Sequence, residues 1–386
     1  MENLFERLDH PILFSVGCDV SQGTFEPHIR AIEANGIRVP CESDSENIIS
    51  CKNPDRTVFL DEVNGLDFAP VRILQRQVEL PSLVPIIDRT LFGVPGKKIK
   101  SGTVGISMED VFSSAPKRRN GEIVQSRLVL RKDVLTRPVF ENKNVVLFCT
   151  GRDKTIETLW QEFRSLDFAG TLGKMGFTAV TGINFSVFFG ECPFAHALNL
   201  KKSLESARLF YEAGIEVIPH IYFAHQFHLD RWIAWLKSNP TVTTVAVNCQ
   251  FRSNSVARIL VQGIDYLLRN VGREMRVILE GCDPKKMRLL FRTFPNSMVV
   301  AMKGLSLSAR FHRQYEYANG VILKSNKSDA SLVSILNASV ENYSEFVRDL
   351  SAPLISEAKH PMNRKSAPSR RRQALPVRHR SAIQSR

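Results

Sequence analysis

Asn144-Val145-Val146-Leu147-Phe148-Cys149-Thr150-Gly151-Arg152-Asp153 is a continuous apolar run of strand length that stops abruptly in polar residues. A strand that is apolar on both faces belongs in a parallel sheet covered on both sides. The pattern recurs along the chain. Downstream runs start at Thr178, Ile215, Val242, Arg276, Met298 and Val321 and end at Asn184, His220, Asn248, Glu280, Lys303 and Lys324, while upstream Leu83 leads to Asp88. Between most of them lies helix-compatible sequence: Lys154–Leu166, Ala195–Ala213 closed by Gly214, Leu229–Ser238 stopped at Asn239-Pro240, Ser255–Asn270, Asp283–Phe294 opened by Asp-Pro, and a final helix over Asp329–Leu350.

Seven such strands between 145 and 323, plus Leu83–Asp88, make the eight that a closed barrel requires. The expected fold is therefore α/β and TIM-barrel-like, with the polar endings lining its mouth, where such folds keep their chemistry. The interval from Asp88 to Val145 is Gly- and Lys-rich rather than amphipathic, which predicts a decorated or incomplete (β/α)8 barrel. An open nucleotide-binding sheet fits less well, because no Gly-rich phosphate loop follows an early strand.

The flanks read differently. Residues 1–80 form an irregular N-terminal α+β region, with candidate strands at Ile12–Val16 and Thr57–Leu60 and a short helix at Pro27–Ala34 ended by Asn35-Gly36. The barrel domain is expected over 81–350 and a disordered basic tail over 351–386. That tail holds nine Lys/Arg against Glu357, a net +8 out of the chain's +13, and it is interrupted by four prolines. Such an arm, with Arg370, Arg371 and Arg372 at its centre, is suited either to phosphate backbones or to plain solvation. Basic loops at Lys97-Lys98-Ile99-Lys100 and Pro116–Gly121 would extend a phosphate-binding face or serve as solvated surface.

With 386 residues, 43% of them hydrophobic, the chain suffices for one large core or two ordinary ones. No apolar run approaches the roughly 18 residues that span a bilayer, and the start lacks the pattern of a signal peptide, so no membrane and a cytoplasmic location are expected. The seven cysteines form no CxxC pair, which argues against a disulfide framework or a zinc ribbon. Cys41 and Cys51 could still share a metal site, although free thiols are the simpler reading.

Val145-Val146-Leu147-Phe148, Arg152-Asp153, Ile156-Glu157 and Trp160, followed by Thr181-Gly182-Ile183-Asn184-Phe185-Ser186 and Gly214-Ile215-Glu216-Val217-Ile218-Pro219, resemble an uncharacterised TIM-barrel-like family of bacterial and mobile-element proteins. The resemblance covers roughly 80 residues and implies the fold but lends no activity. It also implies an acidic residue before the Phe-Ser pair, where this chain has Asn184.

Four residues carry the catalytic expectation: Glu280, His220, Asp153 and Asn248. Glu280 closes a strand and precedes Gly281, so its carboxyl should project into the mouth as a general acid or base, with Asp153 or Asp88 as a second carboxylate for glycosyl-transfer chemistry. His220, His225 and His228, interleaved with Tyr222, Phe223 and Phe227, suggest a metal site completed by Glu280, or a surface that stacks on bases, or aromatics packed under a loop. The spacing matches no specific metal motif, so no metal ligand is assigned, and the cofactor and oligomeric state stay open. Lys303, at another strand end, would neutralise phosphate or form a Schiff base, and Arg310 and Arg313, around Phe311-His312, would contact phosphates or bases. Two functions follow: a hydrolase or glycosyl-transfer enzyme acting on a nucleic-acid-related substrate, or a catalytically silent nucleic-acid-associated accessory protein from a mobile element.

Overall fold

Leu83–Ile87 (β1), Thr103–Ser107 (β2), Asn144–Phe148 (β5), Ala179–Thr181 (β6), Val217–Ile218 (β7), Thr244–Asn248 (β8), Arg276–Glu280 (β9) and Met298–Met302 (β10) form one eight-stranded parallel sheet in the computed structural model. The description covers residues 60–352 except 120–121, 164–166, 188–192 and 251–253; the expected N-terminal strands and helix, Cys18, Cys41, Cys51 and the tail arginines 370–372 lie outside it. Each strand pairs with its neighbour in sequence, and β1 returns to β10 with Leu83 beside Val300. The ring closes between β7 and β8 through one bridge, His220 to Ala246, where Ala246 N–H donates to Pro219 O at 2.9 Å and Ile221 N–H to Ala246 O at 2.8 Å.

The expected strand count is correct, but one strand is not. Val321–Leu323 lies in an antiparallel hairpin, Arg313–Ala318 (β11) with Val321–Lys327 (β12), outside the barrel. There only Ile322 is buried, while Val321 and Leu323 are 41% and 59% exposed, so the apolar triplet has the alternation of a one-sided ribbon. The missing barrel strand is β2, inside the stretch read as irregular. Its apolar run is broken by Gly105, and the glycine is required: a Cβ there would sit 2.5 Å from Phe148 Cε2 and 2.9 Å from Ile86 Cγ1.

The helices follow from periodicity and caps. After the short Met108–Val111 (α1) come Asp153–Phe163 (α2), Phe168–Gly173 (α3), Pro193–Glu212 (α4), Gln226–Ser238 (α5), Asn254–Val271 (α6), Pro284–Thr293 (α7), Gly304–Arg310 (α8) and Leu332–Ser351 (α9). In α2 the buried stripe is Ile156, Leu159, Trp160 and Phe163. For α7 the cap is Asp283, whose carboxylate accepts from Lys285 N at 3.0 Å and Lys286 N at 3.1 Å, with Pro284 at the first helical position.

The first two crossovers lack a full helix. β1 reaches β2 through the 3-10 turns Arg89–Leu91 and Gly96–Lys98, and β2 reaches β5 through α1 and the hairpin Phe112–Arg119 (β3) with Glu122–Leu130 (β4). The terminal helix α9 packs on β1 and substitutes for them. Its polar side chains tie down both neighbours: Ser339 Oγ accepts from Tyr315 N at 3.0 Å, and Asn337 Oδ1 from Lys100 N at 3.1 Å. Inside the ring, Val84, Ile86, Val146, Phe148, Ala179, Ile218, Ala246, Ile278, Val299 and Ala301 pack as one apolar cluster together with Val78 and Leu80 of the segment before β1. That segment closes the amino end of the barrel. Its Gln75 is buried between β7 and β8 and donates to Val217 O and Thr244 O, while its amide oxygen accepts from Thr243 N and Thr244 N, all within 2.8–2.9 Å. These four bonds supply pairing where the ladder between β7 and β8 is shortest.

Candidate active site

Side chains along a strand alternate between core and surface, so the residue two past an interior one faces inward again. Two past Ile278 stands Glu280, two past Phe148 stands Thr150, two past Ile86 stands Asp88, and two past Ala301 stands Lys303. All four line a cavity of about 860 Å³ at the carboxyl ends of β1, β2, β5, β9 and β10, roofed by α8, the β11–β12 hairpin and Tyr343 of α9.

Glu280 is 2% exposed. Its Oε2 accepts from Thr150 Oγ1 at 2.5 Å, and its Oε1 has no hydrogen-bond partner among the described residues. Burial away from water disfavours the carboxylate and lifts its pKa from 4.5 to about 7, against the opposing pull of the Thr150 hydrogen bond. His220 lies behind it, with Nε2 3.6 Å from Glu280 Oε1. Burial holds its imidazole neutral, with the pKa lowered to about 3, and neither ring nitrogen has a hydrogen-bond partner among the described residues. The ordinary order of the two groups is inverted, so near neutrality the exchangeable proton sits on the carboxyl.

The other expected residues are placed as follows. Asp153 begins α2 and accepts from Ser186 Oγ at 2.7 Å; Asn248 ends β8 and accepts from Gln250 N at 2.9 Å; neither lines the cavity. His225 and His228 are not grouped with Glu280. They form an aromatic cluster with His196 and Phe227, in which His228 accepts from Ala224 N at 3.1 Å. Burial lowers the His228 pKa to about 2. Among the described residues no group of three His, Cys, Asp or Glu is placed to hold a metal ion. Phe223 is buried and Phe227 is 48% exposed, so only the latter offers a face to solvent. Lys303 and Arg310 line the cavity, whereas Arg313 is an exposed residue of β11.

Several wall residues went unread in the sequence. Asp110, on α1 just beyond β2, is 3% exposed, and burial raises its pKa despite Lys303 Nζ at 3.3 Å. Arg89 approaches the same carboxylate at 3.9 Å, and Glu109 pairs with Arg152 at 3.1 Å. The signal that would have found Asp110 is β2 itself, since Met108-Glu109-Asp110 is the polar ending of the strand that Gly105 disguised. Lys324 reaches the cavity from the hairpin rather than from a barrel strand.

No protein-family model matches the chain, and no curated protein is significantly similar to it. Among solved structures, the YdjI aldolase from Escherichia coli K12 overlaps 77% of this chain and 96% of its own at 12% identity and a TM-score of 0.35. A putative sugar phosphate isomerase/epimerase from Anabaena variabilis overlaps 70% of this chain and 100% of its own at 10% identity and a TM-score of 0.35. Neither likeness assigns a role to any residue.

Proposed function

We propose that the barrel mouth is an enzyme active site in which Glu280 transfers protons to and from a small bound substrate. The observation that carries this reading is the carboxyl of Glu280, which lines the cavity, has its Oε1 against His220 with no hydrogen-bond partner among the described residues, and has a pKa raised to about 7. A group poised there donates and accepts protons with equal ease at neutral pH. Thr150 fixes its orientation, and neutral His220 keeps its back face dry.

Hydrolysis or glycosyl transfer on a nucleic-acid-related substrate is the narrower form of this proposal. It needs a second carboxyl, and the walls offer Asp88 and Asp110. Both are engaged, Asp88 by Thr90 N and Oγ1 and Asp110 by Lys303 Nζ; Asp110 is the better of the two because burial raises its pKa. A silent accessory protein would have strand-end groups fully spent on hydrogen bonds from neighbouring loops, as Asp153, Asn248 and Asp88 are on Ser186, Gln250 and Thr90. Glu280 and His220 depart from that pattern. The direct test is a screen of sugar phosphates, nucleosides and nucleotides with the wild type and Glu280→Gln. Turnover at least a hundredfold lower in the variant is expected; equal turnover by the two proteins removes Glu280 from the mechanism.

A further inference from the structure

We infer that Arg310 and Lys324 form a subsite for the phosphoryl group of a small phosphomonoester, an inference that rests on the proposed active site and names its substrate class. The charges around the cavity separate by pairing. Asp283 is held by Lys285 N, Lys286 N and Lys286 Nζ, Asp88 by Thr90, Glu109 by Arg152, and Asp110 by Lys303 with Arg89. Arg310 and Lys324 are the cavity-lining cations that no carboxylate among the described residues neutralises. Each lies near an aromatic ring: the Lys324 ammonium is 5.7 Å from the centre of the Tyr315 ring, and the Arg310 guanidinium 5.8 Å from that of Phe311.

Tyr315 adds a neutral donor. Burial raises its pKa, so the phenol keeps its proton, and its hydroxyl reaches the start of α8, 3.7 Å from where a Cβ on Gly304 would stand. A guanidinium, an ammonium and a phenol O–H lining one cavity match a group with several acceptor oxygens and two negative charges. Glu280, on the strand beside the one that ends in Lys303, provides the reactive end. The volume of about 860 Å³ suits a ligand of sugar-phosphate or mononucleotide size, which narrows the nucleic-acid-related substrate from a polymer to a terminal phosphate.

The probe is inorganic phosphate, followed by a 5′-mononucleotide and by an oligonucleotide that lacks terminal phosphates, each titrated calorimetrically into the full-length protein at constant ionic strength. Wild type is expected to bind phosphate and the mononucleotide saturably. Arg310→Gln with Lys324→Gln, both exposed positions, should weaken both affinities at least tenfold while leaving the unliganded melting temperature unchanged. Glu280→Gln should bind phosphate as wild type does. Undiminished phosphate affinity in the double variant, no saturable phosphate binding by wild type, or binding of the oligonucleotide alone would each overturn the subsite. None of those results touches the proton-transfer role of Glu280, which is read separately from turnover.

Discussion

Replacing Glu280 by glutamine should stabilise the protein at alkaline pH and leave it nearly unchanged at acid pH. In the native state the carboxyl holds its proton to about pH 7, whereas in the unfolded chain it ionises near its ordinary 4.5. Below pH 4.5 both states are protonated and the group contributes no difference. Between 4.5 and 7 the unfolded state has released a proton that the native state still holds, so stability falls as pH rises. Above 7 both are ionised, and the native state carries the full cost of a carboxylate out of water. A displacement of this size corresponds to about 3 kcal/mol, at roughly 1.4 kcal/mol per pH unit.

Glutamine has nearly the same shape and no such titration, and it can still accept from Thr150 Oγ1. Urea unfolding of both proteins at pH 5 and pH 8 measures the effect as a difference of differences, in which the other titrating groups largely cancel. His220 is the group to watch. Its pKa is lowered in the native state, so its contribution is fully present above 6.5 and is lost as pH falls toward 3, in wild type and variant alike. The variant should gain about 2.5 kcal/mol on wild type between pH 5 and pH 8, on the order of 5 °C or more in melting temperature. A constant gap across that range would mean that Glu280 ionises normally, and the proposed proton-transfer role would lose its basis.

Three further outcomes are expected. Thr150→Val removes the hydrogen bond that favours the carboxylate, so the pH midpoint of the Glu280 titration, read from the pH–rate profile or from the stability curve against Glu280→Gln, should move upward; a downward move contradicts the assignment. Gln75→Leu deletes four hydrogen bonds between the barrel floor and β7–β8 and strands their buried partners, which should cost about 2–5 kcal/mol in urea unfolding; a loss under 1 kcal/mol would mean that the closure does not depend on Gln75. Gly105→Ala forces a methyl into Phe148 and Ile86 inside the barrel and should cost about 1–3 kcal/mol, where an alanine in an unencumbered strand would be neutral or stabilising.

Much of the barrel is readable in the sequence because its parallel strands are buried on both faces. Val145–Phe148, Val277–Leu279 and Val299–Ala301 are apolar throughout, and Gly214, Pro240, Asp283 and Pro295 punctuate the helices. The two misreadings share a cause, since local apolarity does not report what lies across the sheet. Gly105 looks like a break until Phe148 is known to fill the space its side chain would need. Val321-Ile322-Leu323 looks like a buried strand until α9 is seen to cover one face of the hairpin only. The site was legible in part for the same reason. Strand-end position places Glu280 and Lys303 at the mouth, with His220 buried behind Glu280 rather than lining it, but whether a polar ending is spent on its own loop depends on residues such as Ser186, Gln250 and Thr90, whose approach no spacing rule gives.

That distinction gives His220 its meaning. Barrel closure places its backbone: the bridge to Ala246 is the join between β7 and β8, and an interior-facing residue at that position must put its side chain into the ring. An imidazole buried there beside a carboxyl that keeps its proton to about pH 7 stays neutral. A cation in its place would pull Glu280 back toward an ordinary carboxylate, and water would do so by solvation. A neutral ring 3.6 Å from Oε1 does neither, so the closure that completes the fold also holds the neighbouring carboxyl near neutrality.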